Sequence, residues 1–305
     1  MATYKEKVGT AVVNYAGDYP GAVEGELWYD STNKDFKYQY ANTVLQGSWA
    51  TGGSMNTARF NIGGTGTQTS ALAFGGDANP PRTGATESYD GASWTEVNDL
   101  NTARNSLAGG GTQTSSLAFG GQIAPGATAV TESWNGSNWT EVNDLNTARY
   151  SLAGAGTDNT SDLAFGGYTG TARTGATESW NGTNWTEVND LNTARNSVAG
   201  TGIVTAALAF GGSTPPEANT GATESWNGTN WTEVNDLNTA RRDLAGTGSY
   251  TSALAFSGEI PGDVFVTSTE EWNGTNWTQV NVLSTGRRSL GGAGTTSSAL
   301  AFGGR

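Results

Sequence analysis

A tryptophan followed ten residues later by an arginine recurs at Trp49/Arg59, Trp94/Arg104, Trp139/Arg149, Trp185/Arg195, Trp231/Arg241 and Trp277/Arg287, so the chain repeats every 45 or 46 residues. Nothing else in the sequence restricts the fold as strongly. A unit this short cannot bury its own hydrophobic face and has to stack on its neighbours. A second marker, Leu-Ala-Phe, ends at Phe74, Phe119, Phe165, Phe210, Phe256 and Phe302, followed five times by Gly-Gly and once by Ser257-Gly258.

Each unit carries four strand signals. In the third, Arg149 to Gly156 has the small residues that suit an innermost strand, where neighbouring blades crowd a central channel. Asp162 to Gly167 is the second strand, with Leu163 and Phe165 on one face and Ala164 on the other. Ala176 to Trp180 and Asn184 to Val188 are the third and fourth, joined through Asn181-Gly182, a dipeptide that favours a type I′ turn. Four short strands per repeat of this length point to the blades of a β-propeller, and the recurring Trp and Phe then read as packing between blades.

The sixth unit stops at Gly304-Arg305 after two strands. Glu26 to Asp30 resembles the third strand Thr86 to Asp90, and Gln46 to Trp49 leads into the fourth-strand tryptophan position, with a longer hairpin, Ser31 to Val44, between them. The expected organisation is an N-terminal extension, 1–22, and a six-bladed, all-β propeller, 23–305, in which strands from 23–52 complete the blade formed by 287–305.

Composition narrows the chemistry. Twenty-eight acidic against 15 basic residues give a net charge of −13, which repels nucleic-acid phosphates and anionic membrane surfaces. The chain has no Cys and no His, which removes disulfides, thiolate nucleophiles, the commonest general base and the commonest zinc ligand. No cofactor is expected. Met1 to Ala16 lacks the continuous apolar core of a signal peptide, and no stretch approaches the roughly 18 apolar residues of a membrane span, so no membrane insertion is expected.

Paired Gly, then an aromatic with Asp or Asn, then Trp, then Arg is the order of the kelch repeat, and the chain resembles that family from about residue 25 to its end. The resemblance implies the fold and says little about activity, because propellers host many functions. Gly25-Glu26-Leu27-Trp28-Tyr29-Asp30-Ser31-Thr32-Asn33-Lys34-Asp35-Phe36-Lys37-Tyr38 is also similar to segments of bacteriophage virion proteins, and the repeats resemble kelch-like proteins of marine phages. That second resemblance implies a virion component, assembled in the host cytoplasm, with other virion proteins and a host-surface glycan or receptor as partners. Host adsorption, as in a tail fibre, and decoration of capsid or tail are its two versions.

Enzymes fit less well. Ser88-Tyr89-Asp90-Gly91-Ala92-Ser93-Trp94 resembles the Asp-box of sialidase-type propellers, although it is one residue short and later copies have Asn for Asp; in that family the box is a structural hairpin. A glycosidase needs two carboxyls in unlike environments facing one substrate. The carboxylate pairs here, such as Glu141/Asp144 and Glu187/Asp190, recur around the ring, which reads as a structural task, pairing with the repeated Arg or holding calcium.

The blades differ most in the loop after Gly-Gly, whereas Thr177 to Arg195 and Thr223 to Arg241 are identical. These loops join second to third strands, so all open on one face, shared with the Asn-Thr-Ala-Arg connections. Variable loops on a rigid scaffold are where binding usually resides. The expected ligand-binding residues are Arg82, Tyr168, Arg173, Glu217 and Phe265, since aromatics stack on sugar rings and charged groups hydrogen-bond hydroxyls.

Overall fold

The structure, a computed structural model, describes residues 13–16, 27–38, 47–78 and 81–305. The chain divides into two units, 1–46 and 47–305. Every regular element among the described residues is a β-strand.

The larger unit is a β-propeller. Five four-stranded antiparallel sheets follow one another between Gly63 and Val280, each running from an inner to an outer strand. In the third blade, Ala153–Asp158 pairs with Ser161–Phe165, then Thr177–Trp180, then Trp185–Val188. The second strand is buried on both faces, and Leu163, Ala164 and Phe165 have no exposed surface. The inner strand is small because blades converge there: a Cβ on Gly154 would lie 2.7 Å from the Phe119 ring and 2.9 Å from the Gly109 carbonyl of the preceding blade.

The repeated aromatics join the blades, as their recurrence implied. Phe74 meets Trp139 of the next blade at 5.0 Å, Phe119 meets Trp185 at 4.9 Å, Phe165 meets Trp231 at 4.9 Å and Phe210 meets Trp277 at 5.0 Å. Each of these indoles also donates to a third-strand threonine of the preceding blade, for example Trp185 Nε1 to Thr131 Oγ1 at 3.1 Å. One side chain thus supplies apolar contact and satisfies its own polar handle.

After the fifth blade, Leu290–Gly294 pairs with Ala299–Gly303, and among the described residues this sixth sheet has two strands. The aromatic cycle nevertheless continues through it, with Phe256 against Trp49 at 5.1 Å and Phe302 against Trp94 at 5.0 Å. Trp49 Nε1 donates to Thr269 Oγ1 at 3.2 Å, as its counterparts do one blade earlier. Asn281 Nδ2 donates to the Gly47 carbonyl at 3.1 Å, as Asn235 Nδ2 does to that of Thr275 at 3.0 Å. Gly47 and Trp49 therefore sit where an outer strand would begin.

Two details differ from the sequence reading. The third-to-fourth hairpins are closed by pairs such as Trp180/Trp185, leaving four loop residues rather than a two-residue type I′ turn. Asn181 keeps negative φ, and its Oδ1 accepts from Thr183 N at 3.0 Å and Asn184 N at 2.9 Å. The side chain shapes this turn, a known alternative for Asn and Asp. In the smaller unit, Leu27–Asp30 pairs with Asp35–Tyr38 through a tight turn, a shorter hairpin than the expected Ser31 to Val44, and with Val13–Tyr15 in parallel. Glu26, Val44 and Gln46, which that hairpin invoked, lie outside the described residues.

Candidate functional site

The loop face is organised around the channel mouth. Two places after each repeated arginine stands Asn61, Ser106, Ser151, Ser197, Asp243 or Ser289, all with φ between 51° and 56°. The amide of each donates to the carbonyl of its counterpart one unit back, from Ser106 to Asn61 at 2.8 Å round to Asn61 to Ser289 at 2.8 Å. The circle closes through all six units.

A second tier lies just outside. The residue after each arginine pairs with the one that follows Gly-Gly or Ser-Gly: Phe60 with Asp77, Asn105 with Gln122, Tyr150 with Tyr168, Asn196 with Ser213 and Arg242 with Glu259. Arg288 and Arg305 exchange backbone bonds of 3.0 and 3.1 Å in the same way. These pairings hold the variable loops and the arginine connections at one end of the blades.

The five residues expected to bind ligand occur in separate sectors of this tier. Arg82 Nη2 donates to Gln122 Oε1 of the next unit at 2.9 Å. Tyr168 stands edge-on to Tyr150, with centroids 5.5 Å apart. Arg173 donates to Asn196 Oδ1 at 3.0 Å and Ser213 Oγ at 3.3 Å, and lies 3.8 Å from Glu217, whose side chain is 77% exposed. Phe265 is 37% exposed, with the Arg288 guanidinium 5.1 Å above its ring. The structure brings Arg173 and Glu217 together and leaves Arg82, Tyr168 and Phe265 apart. Both arginines tie neighbouring units. Asn79 and Pro80 of the first loop lie outside the described residues.

Near Phe265 the face is cationic. Arg242 Nη2 donates to Glu259 Oε1 at 2.6 Å, and Arg288 pairs with the other oxygen of the same carboxylate. Burial, with the Arg305 and Arg242 cations, lowers the Arg288 pKa, while Asp243 opposes the shift.

The carboxylates that meet the repeated arginines are not the ones the sequence reading chose. Glu87, Glu132, Glu178, Glu224 and Glu270, on third strands, pair with Arg59, Arg104, Arg149, Arg195 and Arg241 at 2.5–3.1 Å, fully or almost fully buried. Asp144 and Asp190 instead accept from the Thr131 and Thr177 amides at 3.0 and 3.1 Å, and Glu141 and Glu187 are exposed. The missed signal was the Thr-Glu pair that opens every third strand, from Thr86-Glu87 to Thr269-Glu270. Among the described residues no group of three acidic side chains could hold a metal ion.

One buried acid breaks the repeat. Asp162 stands where the other units have Ala or Ser, fully buried, with Oδ1 accepting from the Leu163 amide at 2.9 Å and Oδ2 without a partner. It fits because its neighbours are bare: a Cβ on Gly110 would lie 2.1 Å from Oδ2, and one on Gly156 2.4 Å from Cγ. Burial raises its pKa well above the usual range, against bonds from Leu163 and Ala155, with Asp158 adding to the rise. A folded-state pKa raised above the unfolded value of about 3.9 contributes stability that is complete below that value and is lost as pH rises through the folded one. Asp162→Asn should therefore match the parent near pH 4 and exceed it at neutral pH by about 1–3 kcal/mol, the usual cost of an unsatisfied buried group. Urea titrations at the two pH values check this, and an unchanged or lower midpoint at neutral pH would refute it.

No protein-family model matches the chain, and no curated protein matches it either.

Proposed function

We propose that the chain is a non-enzymatic virion protein of a bacteriophage whose loop face binds a host-surface glycan, with neighbouring virion proteins as its other partners. The observation that carries this reading is a contrast on one face: five loops of unlike sequence stand on blades that repeat almost residue for residue. Exposed Phe265, the Tyr150/Tyr168 pair and the Arg173/Glu217 pair supply stacking surfaces and hydrogen-bonding groups of the kind sugars use. Weak single sites suit a particle that displays many copies, because multivalency multiplies affinity by roughly 10²–10⁴ where geometry permits.

The test replaces Arg82, Tyr168, Arg173, Glu217 and Phe265 by Ala and compares binding to host cells and a glycan panel with a variant altered on the opposite face, at the loops near Thr112 and Asp158. Only the loop-face variant should lose binding. Because Arg82 and Arg173 also tie neighbouring units, melting curves must show both variants folded. Loss confined to the opposite-face variant, or a loop face buried against another virion protein, favours capsid or tail decoration instead.

The finer architecture belongs to the same proposal. We read the ring as a six-bladed, kelch-like propeller whose last blade receives its outer strands from 23–52. Trp49 already occupies the outer-strand position, and the crown of six residues closes on itself.

A further inference from the structure

The crown at the channel mouth keeps side chains where the backbone favours glycine. Left-handed φ costs an L-residue with a Cβ, and among the described residues 23 glycines take positive φ. At the crown the chain uses Ser four times, with Asn61 and Asp243, and these six are most of the ten described non-glycine residues with positive φ. A residue repeated in every unit ordinarily serves the fold, but here the fold needs only the backbone circle. Among the described residues the hydroxyls of Ser106, Ser151, Ser197 and Ser289 have no hydrogen-bond partner, whereas Asn61 Nδ2 bonds Asp77 Oδ2 at 3.2 Å and Asp243 Oδ2 lies 4.0 Å from Arg288. The six residues rim an axial cavity of about 120 Å3, and its wall is made by the aliphatic residue after each of them, from Ile62 and Leu107 round to Leu290.

We propose that this crown binds a single sugar residue, the terminal pyranose of a glycan, entering the channel mouth along the propeller axis. The inference rests on the glycan reading above and assigns the residues that take the sugar's end. Its chemistry matches both surfaces of a pyranose. Serine hydroxyls donate and accept, the Asp243 carboxylate accepts, and together they meet equatorial hydroxyls, while the largely buried aliphatic residues beneath them leave only a small apolar floor for a C–H edge. The cavity is open at its mouth and has room for several waters, enough for one ring end. The surrounding loops would then contact the sugars that follow.

Glycine makes the test clean, because replacing serine by glycine at left-handed φ removes a hydroxyl and relieves the backbone at once. The full chain and its quadruple variant Ser106→Gly, Ser151→Gly, Ser197→Gly, Ser289→Gly are compared by saturation-transfer NMR against free hexoses, N-acetylhexosamines and hexuronic acids. At least one sugar should bind the parent, and the quadruple variant should lose about tenfold or more in affinity while melting no lower. The proposal is overturned if no free monosaccharide binds the parent, or if the variant binds the same sugar equally well. The host-glycan reading fails separately: a monosaccharide that depends on the crown, with host-cell binding unchanged in both the crown and five-loop variants, leaves the sugar site standing and removes the adsorption role.

Discussion

Arg149→Leu should lower folding stability by about 3–5 kcal/mol, because it strands the Glu178 carboxylate in the blade interior without its counter-charge. Arg149 Nη2 lies 3.1 Å from Glu178 Oε1, and both side chains are fully buried. Burial lowers the Arg149 pKa, and Glu178 is the main group opposing that shift. The carboxylate also has a second task, accepting from Asn146 N at 2.7 Å, Asn146 Nδ2 at 2.8 Å and Thr147 N at 3.3 Å. Arg149 in turn donates to the carbonyls of Ala176 at 2.9 Å and Ala164 at 3.4 Å, so the pair ties the incoming connection to the second and third strands. Domains are typically stable by only about 5–15 kcal/mol, so a loss of this size approaches unfolding. Adding Glu178→Gln removes the stranded charge and keeps an acceptor for the amides, and Arg149→Leu/Glu178→Gln should recover part of the loss in urea unfolding. A double variant no more stable than Arg149→Leu would mean that charge compensation is not the purpose of the pair.

Deleting residues 1–46 should destroy the single cooperative melting transition if the last blade is completed by the N-terminal segment. Among the described residues the sixth unit is incomplete. Arg287 is the counterpart of the five paired arginines, yet it meets no carboxylate among the described residues, and its Nη1 donates to the Gly303 carbonyl at 3.2 Å. Burial lowers its pKa. Ala299, Leu300 and Ala301 are partly exposed where their counterparts in the first blade, Ala71, Leu72 and Ala73, have no exposed surface. An open strand edge with unpaired amides and carbonyls is also a template for association. The truncated chain should melt lower and without a single sharp transition in calorimetry, and should aggregate. A truncated chain that melts like the parent would show that the ring closes without this segment.

Much of the architecture was legible in the sequence because it depends on periodicities that every unit repeats. The 45- or 46-residue period gave the blades, alternation gave the strands, and recurrence of Trp and Phe identified the contacts between blades. The candidate site was legible only as a face. The loops do share an end with the arginine connections, but Arg82 and Arg173 reach across to neighbouring units. Such ties join residues about 40 positions apart, 82 to 122 and 173 to 213, and no local pattern records them.

The acids show most clearly where sequence stops. Glu178 and Glu187 lie directly opposite one another on adjacent strands and so share a sheet face. Alternation cannot distinguish them, and both recur in blade after blade. What separates them is distance from the propeller axis: the third strand is covered on both edges and its acid faces the arginine inside, whereas the outer strand leaves its acid in solvent. The crown has the same origin. A polar residue two places after each arginine is visible in the sequence, but its left-handed backbone and the closed circle of amides exist only because six units meet around one axis. Sequence alone determined the unit and its packing surfaces, since these follow from local pattern and hydrophobicity. Ring closure decided which of the repeated polar groups are buried, paired or left free at the channel mouth, because those contacts join units far apart in the chain.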